Sequence, residues 1–186
     1  MKYKSTRGEV TDISFQQALF SGFLSDGGIL MPETIPNISS EQLRGWKNLS
    51  YMELAKKIIV MFVDETEIPG EHLDQLLDTA YSKFAHPDIA PIVSLKSGIN
   101  IMELFHGKTW SFKDLALSCI GQFLQYFLNR DKKHVTILVG TTGDTGSAAI
   151  EAVRGLSSVD MIVMYPDGRV SEVQERQMIS VLDDNI

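Results

Sequence analysis

At 186 residues, 44% of them apolar, the chain is long enough to bury a core as one compact unit with room for two lobes. Its 17 Lys and Arg stand against 24 Asp and Glu, and a net charge of −7 argues against nucleic acid or an anionic membrane as the main partner. No apolar run reaches membrane-spanning length, residues 1–10 lack the apolar stretch of a signal peptide, and the single cysteine, Cys119, cannot form an internal disulfide, so a cytoplasmic location is expected.

Residues 1–90 have helical periodicity broken by Gly and Pro. Residues 15–23 read as a short helix capped by Ser14 or Asp12 and ended near Gly22; Asp26-Gly27-Gly28 is a turn. Ser39 or Ser40 caps a helix that runs through Leu43. Ser50 precedes a helix over 51–63, with Leu54, Ile58 and Phe62 on one face. After the break at Pro69-Gly70, a helix over 72–84 turns Leu73, Leu76, Leu77 and Ala80 inward.

From about Pro91 the pattern becomes β/α. Residues 92–95 and 100–105 read as strands around a Ser97-Gly98 turn. Residues 114–129 form a helix whose polar stripe is Ser118, Gln122, Gln125 and Asn129, so most of it should be buried. The apolar run 135–139 suits a central parallel strand. A helix over 145–154 with Gly155 beyond its end, a parallel strand over 161–165 and a helix over 171–182 complete the chain. This order predicts an α/β fold, with a helical N-terminal domain over 1–90 and the first part of an open parallel sheet over 91–186. The last element ends at Asp183-Asp184-Asn185-Ile186 with no further strand, which reads as a chain cut in mid-domain.

Gly140-Thr141-Thr142-Gly143-Asp144-Thr145-Gly146-Ser147 joins the buried strand to the next helix. Glycines let the backbone turn tightly and approach a ligand, and the free N–H groups of the helix start face an anion. The carboxyl end of a strand is also where open α/β sheets bind ligands. An anion such as a carboxylate or phosphate is therefore expected here; the competing reading is close helix packing by Gly146, Ser147, Ala148 and Ala149. The spacing G-x-x-G-x-x-G is not the dinucleotide fingerprint, so a nicotinamide dehydrogenase is excluded. Gly107-Lys108-Thr109 imitates the end of a phosphate-binding P-loop, but Met102 stands where that motif needs glycine.

Lys113 sits at the start of the buried helix beside Phe112. Such a setting disfavours a charged amine, and a neutral amine is what Schiff-base chemistry requires. Taken alone, the flanks also fit an ordinary surface lysine.

The segment Glu103-Leu104-Phe105-His106-Gly107-Lys108-Thr109-Trp110-Ser111-Phe112-Lys113-Asp114 closely resembles the lysine motif of threonine synthases, a branch of the fold-type II pyridoxal phosphate (PLP) enzymes. The glycine loop resembles the family's T-S-G-D-T-G-S-A-A, with Thr142 keeping the hydroxyl of the usual Ser. Tyr165-Pro166-Asp167-Gly168-Arg169-Val170-Ser171, with Gln174 and Gln177-Met178, matches a third block. Ser5-Thr6-Arg7-Gly8, Phe15, Ala18-Leu19 and Asp26-Gly27-Gly28 resemble the family's N-terminal domain. The resemblance spans the chain in order, and the helix from Gln122 looks most like animal threonine synthase-like proteins.

The resemblance implies a PLP-dependent carbon–oxygen lyase of amino-acid metabolism. Lys113 would carry the cofactor as a Schiff base and then move substrate protons. Asp144 would lie near the cofactor's ring hydroxyl. Thr141, Thr142, Gly143, Thr145 and Gly146 would take the carboxylate of a small phosphorylated amino acid. The implied reaction is β,γ-elimination on O-phosphohomoserine or a similar phosphorylated hydroxy-amino acid, giving threonine or 2-ketobutyrate plus phosphate. No metal is implied.

Lys108 stands where the family has Pro or a small apolar residue, and either adds a cation near the substrate phosphate or is merely exposed. His106 is a substrate contact or a hydrogen-bonded structural histidine. Arg169 meets a phosphate or is a solvated turn arginine. Trp110 is expected to pack, and Cys119 to be core and inert. The family's cofactor-phosphate loop, of G-N-[FLA]-G type, does not occur in these residues. A fragment lacking it should hold PLP weakly or not at all, so the alternative is a truncated, non-catalytic binding or signalling form of the same fold.

Overall fold

A computed structural model describes residues 1–186. By its internal contacts the chain divides into two units, Met1–Leu77 and Asp78–Ile186.

In the first unit, β1 (Tyr3–Ser5) pairs antiparallel with β2 (Leu30–Pro32), Tyr3 opposite Pro32. Three helices share one start signal. Ahead of α1 (Phe15–Phe20), α2 (Ser40–Trp46) and α3 (Tyr51–Ile59), the hydroxyls of Ser14, Ser39 and Ser50 accept from the backbone N–H three residues on. Gln17, Gln42 and Glu53 reach back to the serine N–H. Glu67 caps α1 a second time, its two oxygens accepting from the N–H groups of Phe15 and Gln16 at 2.9 Å each. Two helices are shorter than their apolar periodicity predicts. The N–H of Ser21 turns back to Ala18, and those of Met61 and Phe62 reach only three residues back, so tight turns end α1 at Phe20 and α3 at Ile59. Tyr3, Val63, Ile68, Leu73 and Leu77 form the core of this unit.

The helix α4 (Gly70–Tyr81) crosses the division, with Leu73, Leu77 and Ala80 buried and Leu76 half-buried. In the second unit, β3 (Ile92–Ser94) and β4 (Asn100–Met102) make an exposed antiparallel hairpin. Then come α5 (Lys113–Asp131), β5 (Val135–Gly140), α6 (Asp144–Val153), β6 (Val159–Met164) and α7 (Glu172–Ile179). The strands β5 and β6 run parallel, in register from Val135 opposite Val159 to Gly140 opposite Met164. The fold is α/β, as predicted. Phe127, Leu128, Ile150 and Val159 are all but inaccessible and centre the core. Gly121 of α5 lies against the backbone carbonyl of Ala152 in α6, an approach that leaves no space for a Cβ. Lys132 ends α5 in the left-handed conformation, φ 52°.

Burial differs from the sequence pattern at two places. Helix α5 is mostly covered, as expected, but Ala116 and Ile120 are exposed while Ser118, Gln122 and Gln125 of the polar stripe are half-buried. In β5 burial alternates, and Leu138 is 62% exposed, as are Ile162 (55%) and Met164 (54%) on β6. One face of this two-stranded sheet is covered and the other is open, whereas a continuous apolar run predicts cover on both.

Candidate active site

The site residues lie at the carboxyl ends of β5 and β6 and at the start of α5, all within the second unit. Between β4 and α5 the chain makes a tight loop. Asp114, 4% exposed, accepts from both the N–H (2.8 Å) and the hydroxyl (2.7 Å) of Thr109. Gly107 lies so close to the Asp114 carboxylate that a Cβ would overlap it. Trp110 turns the loop with φ +60°, a left-handed value rare for a non-glycine residue. Its ring is 72% exposed, contrary to the expected packing, because this turn carries it outward. Ser111, buried, accepts from the N–H of Lys113 at 3.3 Å and so caps the helix start that Phe112 leaves without a side-chain bond.

Lys113 is thereby held on the first turn of α5. Its Nζ lies 4.0 Å from Oδ2 of Asp144 and 5.3 Å from the centre of the Phe112 ring. Both charged side chains are part-exposed. Asp144 is the first residue of α6, where a carboxylate is favoured by the helix start. Its Oδ1 accepts from Nε2 of Gln174 on α7. The structure thus joins residues 31 and 30 positions apart in sequence.

The glycine loop is organised from within. The Thr141 hydroxyl donates to the carbonyl of Gly143 (3.0 Å) and accepts from the N–H groups of Gly143 (3.1 Å) and Gly146 (3.2 Å). Thr141 is buried and its hydroxyl shapes the loop, while the N–H groups of Thr142, Asp144 and Thr145 have no such internal partner. Ser147 bonds back to the carbonyl of Asp144 at 3.2 Å. Gly140, Thr141, Thr142, Met164, Tyr165 and Pro166 line an open cleft of about 410 Å³. Tyr165 forms one wall; burial, first, and the neighbouring Glu175 push its phenol above the ordinary range. A hollow of about 430 Å³ in the first unit, bounded by Tyr3, Phe15, Phe23 and Leu30, carries no amine or carboxylate.

His106 is hydrogen-bonded to Glu103 (2.7 Å), its ring lies 4.8 Å from that of His86 at a tilt of 44°, and its carbonyl accepts from the N–H of Ala85, which are the contacts of a structural histidine. Lys108 and Arg169 are exposed. Cys119 is 6% exposed, and burial pushes its thiol up, away from the reactive thiolate. Gln174 and Gln177 carry no chemical signal in the sequence beyond their place in the third block. Yet Gln174 holds Asp144, and Gln177 donates to the carbonyl of Thr109 at 3.3 Å, so one face of α7 reaches both loops. Their spacing of three residues, which shares a helix face, is the signal that could have found them.

Residues 2–81 match a family described as threonine synthase N terminus. The whole chain aligns with threonine synthase-like 2 of Xenopus laevis at 51% identity, covering 39% of that protein. It aligns with threonine synthase of Schizosaccharomyces pombe at 40% identity, covering 38%. The crystal structure of yeast threonine synthase superposes with a TM-score of 0.93 at 40% identity, over 99% of this chain and 39% of that one. PLP-bound threonine synthase from Brucella melitensis superposes with a TM-score of 0.90 at 39% identity, over 96% of this chain and 38% of that one. The chain therefore spans less than two fifths of the length of each of these relatives, and in sequence and in fold it matches the N-terminal portion of threonine synthases and threonine synthase-like proteins.

Proposed function

We propose that this chain carries the amine-bearing and carboxylate-binding part of a PLP-dependent carbon–oxygen lyase. Its substrate would be O-phosphohomoserine or a similar phosphorylated hydroxy-amino acid. The reaction would be a β,γ-elimination giving phosphate and either threonine or 2-ketobutyrate. In this reading residues 1–90 are the N-terminal domain and 91–186 the lysine- and glycine-loop part of the catalytic domain.

The observation that carries the proposal is the approach of Lys113 Nζ to Asp144 Oδ2, at 4.0 Å, beside the glycine loop. The donor set fits PLP. A part-exposed primary amine, Lys113, would be available to the cofactor's aldehyde, and the Asp144 carboxylate beside it would lie near the ring hydroxyl. The N–H groups of Thr142, Asp144 and Thr145, without an internal partner at a helix start, would be the donors for an anion. When bound, PLP supplies an electron sink for charge developing on substrate carbon. Lys113 Nζ then takes and returns the substrate protons. The glycine loop holds the substrate carboxylate through Thr142 and Thr145, while the N–H groups of Gly143 and Gly146, expected from the sequence to join them, are taken up by the Thr141 hydroxyl that fixes the loop's curvature.

A second reading, a non-catalytic binding form of the fold, is favoured by the open apolar face of β5 and β6, where Leu138, Ile162 and Met164 are each more than half exposed. One experiment separates the two. The purified chain is incubated with PLP and O-phosphohomoserine, and phosphate, threonine and 2-ketobutyrate are measured beside borohydride trapping of PLP on Lys113. Phosphate with threonine means a synthase, and phosphate with 2-ketobutyrate a phospho-lyase. Neither turnover nor trapping on Lys113, with Lys113→Ala as control, leaves the binding form.

A further inference from the structure

The polar contacts around Lys113 form a line that begins at Ser171. Ser171 caps α7; its hydroxyl accepts from the N–H of Gln174 at 3.4 Å and donates to Oε1 of the same side chain at 2.8 Å. With Oε1 engaged by a donor, Nε2 of Gln174 is turned the other way, toward the glycine loop. There it donates to Oδ1 of Asp144. With Oδ1 occupied, Oδ2 is the oxygen left facing Lys113 Nζ. Each donor meets an acceptor, so the order serine hydroxyl, amide, carboxylate, amine has one consistent sense. Gly143 makes the geometry feasible: a Cβ there would come within 3.1 Å of Gln174 Nε2.

We infer that Gln174 is a positioning residue that fixes the Asp144 carboxylate so that its second oxygen faces the Lys113 amine. The inference rests on the reading of Lys113 as the functional amine, but its geometry is independent of any cofactor. An exposed carboxylate 4 Å from an amine ordinarily rotates away freely, because water screens the pair and side-chain entropy favours release. Asp144 and Lys113 are both part-exposed, so an external anchor is what gives their approach persistence. Gln174 supplies it from a different helix, and Gln177, three residues on, ties the same helix to the lysine loop at Thr109.

The test measures the reactivity of the Lys113 amine by isotope-coded reductive methylation at pH 8.5. Exposed Lys108 serves as an internal reference, and no PLP is present. Asp144→Asn removes the carboxylate and is expected to raise the Lys113/Lys108 labelling ratio about threefold to fivefold, the scale of a close pair in a water-like medium. Gln174→Met, nearly isosteric, is expected to raise the ratio to a similar level, and Asp144→Asn on top of it should add little. Ser171→Ala, which frees the Gln174 amide, is expected to raise it less. A ratio that stays or falls in Gln174→Met, or a full further increase from Asp144→Asn in that background, overturns the inference. Should Gln174→Met fail to fold in circular dichroism, Ser171→Ala carries the test, and an unchanged ratio there is equally fatal. PLP trapping with borohydride on the same variants reports separately on the functional reading. If trapping shows no preference for Lys113 while the labelling cycle holds, the cofactor assignment fails and the positioning role stands.

Discussion

Asp114 is joined twice to Thr109, by the backbone N–H and by the hydroxyl, and the loop between them delivers Lys113 to the first turn of α5. A buried carboxylate that accepts two short bonds is strongly committed, because each donor it leaves would be stranded away from water. Asp114→Ala is expected to cost about 3 kcal/mol of stability in urea unfolding and to increase proteolytic cleavage between residues 107 and 112. Asp114→Asn, which keeps the shape and loses the charge, should cost about half as much. Equal stability of all three proteins would show that the buckle contributes nothing.

The contact of α5 with α6 is set by the absence of a side chain at Gly121. Two effects compete in Gly121→Ala. Alanine gains about 1 kcal/mol of helix propensity, while overpacking costs about 1–3 kcal/mol. The atom in the way is the carbonyl oxygen of Ala152, part of a helix backbone that cannot swing aside, so overpacking wins. A net loss of about 1–2 kcal/mol is expected from chemical denaturation. A stabilised variant would mean that the helices slide apart at no cost.

The three serine-capped helix starts of the first unit were legible because the capping box is local: Ser14 with Gln17, Ser39 with Gln42 and Ser50 with Glu53 each lie within four residues. Helix ends were less so. Apolar spacing continues past Ile59, but the backbone bonds shorten there, and no residue type announces it. The glycine loop and the lysine segment were also legible as motifs. Their meeting was not, because the 4.0 Å from Lys113 to Asp144 depends on how β5 returns the chain beside α5. Thr141 illustrates a finer limit. Its hydroxyl reads as a ligand donor in the sequence, yet the fold spends it inside the loop. The open face of β5 was unreadable for a related reason: an apolar run reports preference for burial, and the cover must come from other elements.

Tyr3 links the strand β1 to the turn after α3, its hydroxyl donating to the carbonyl of Phe62 at 2.7 Å. Burial, chiefly, and the charge of Glu67 push its phenol from 10.0 up to about 12. A group whose value is raised on folding contributes stability that is complete below its unfolded value and is lost as pH rises through the folded one. Tyr3→Phe should therefore lose about 1 kcal/mol near neutral pH. The gap between variant and parent should narrow as pH climbs from 10 toward 12. Paired urea titrations at pH 8 and pH 11 measure this, and a gap that is constant across that range would exclude Tyr3 as the source.

Asn185 closes the second unit with one side chain. Its Nδ2 donates to the carbonyls of Val153 (2.9 Å) and Val159 (2.8 Å) and, more weakly, of Leu156 (3.4 Å). Its Oδ1 accepts from the N–H of Gly155 at 2.9 Å, and its own carbonyl accepts from Met161 at 2.8 Å. The carbonyl of Val153 belongs to the last residue of α6 and that of Leu156 to the turn beyond it, where backbone acceptors have few helical partners, so the amide supplies a donor that the helix does not. Gly155, with φ +73°, makes the turn that brings them together. Asn185→Ala is expected to cost about 2–3 kcal/mol, the scale of several part-buried bonds with their acceptors left unpaired. Asn185→Asp has the same shape but puts a carboxylate against three carbonyls, so it should destabilise at least as much at pH 7 and recover partly at pH 4, where a protonated acid can donate once. If the Asp variant unfolds at the same urea concentration as the parent at pH 7, the strap acts by shape alone and the hydrogen bonds are incidental.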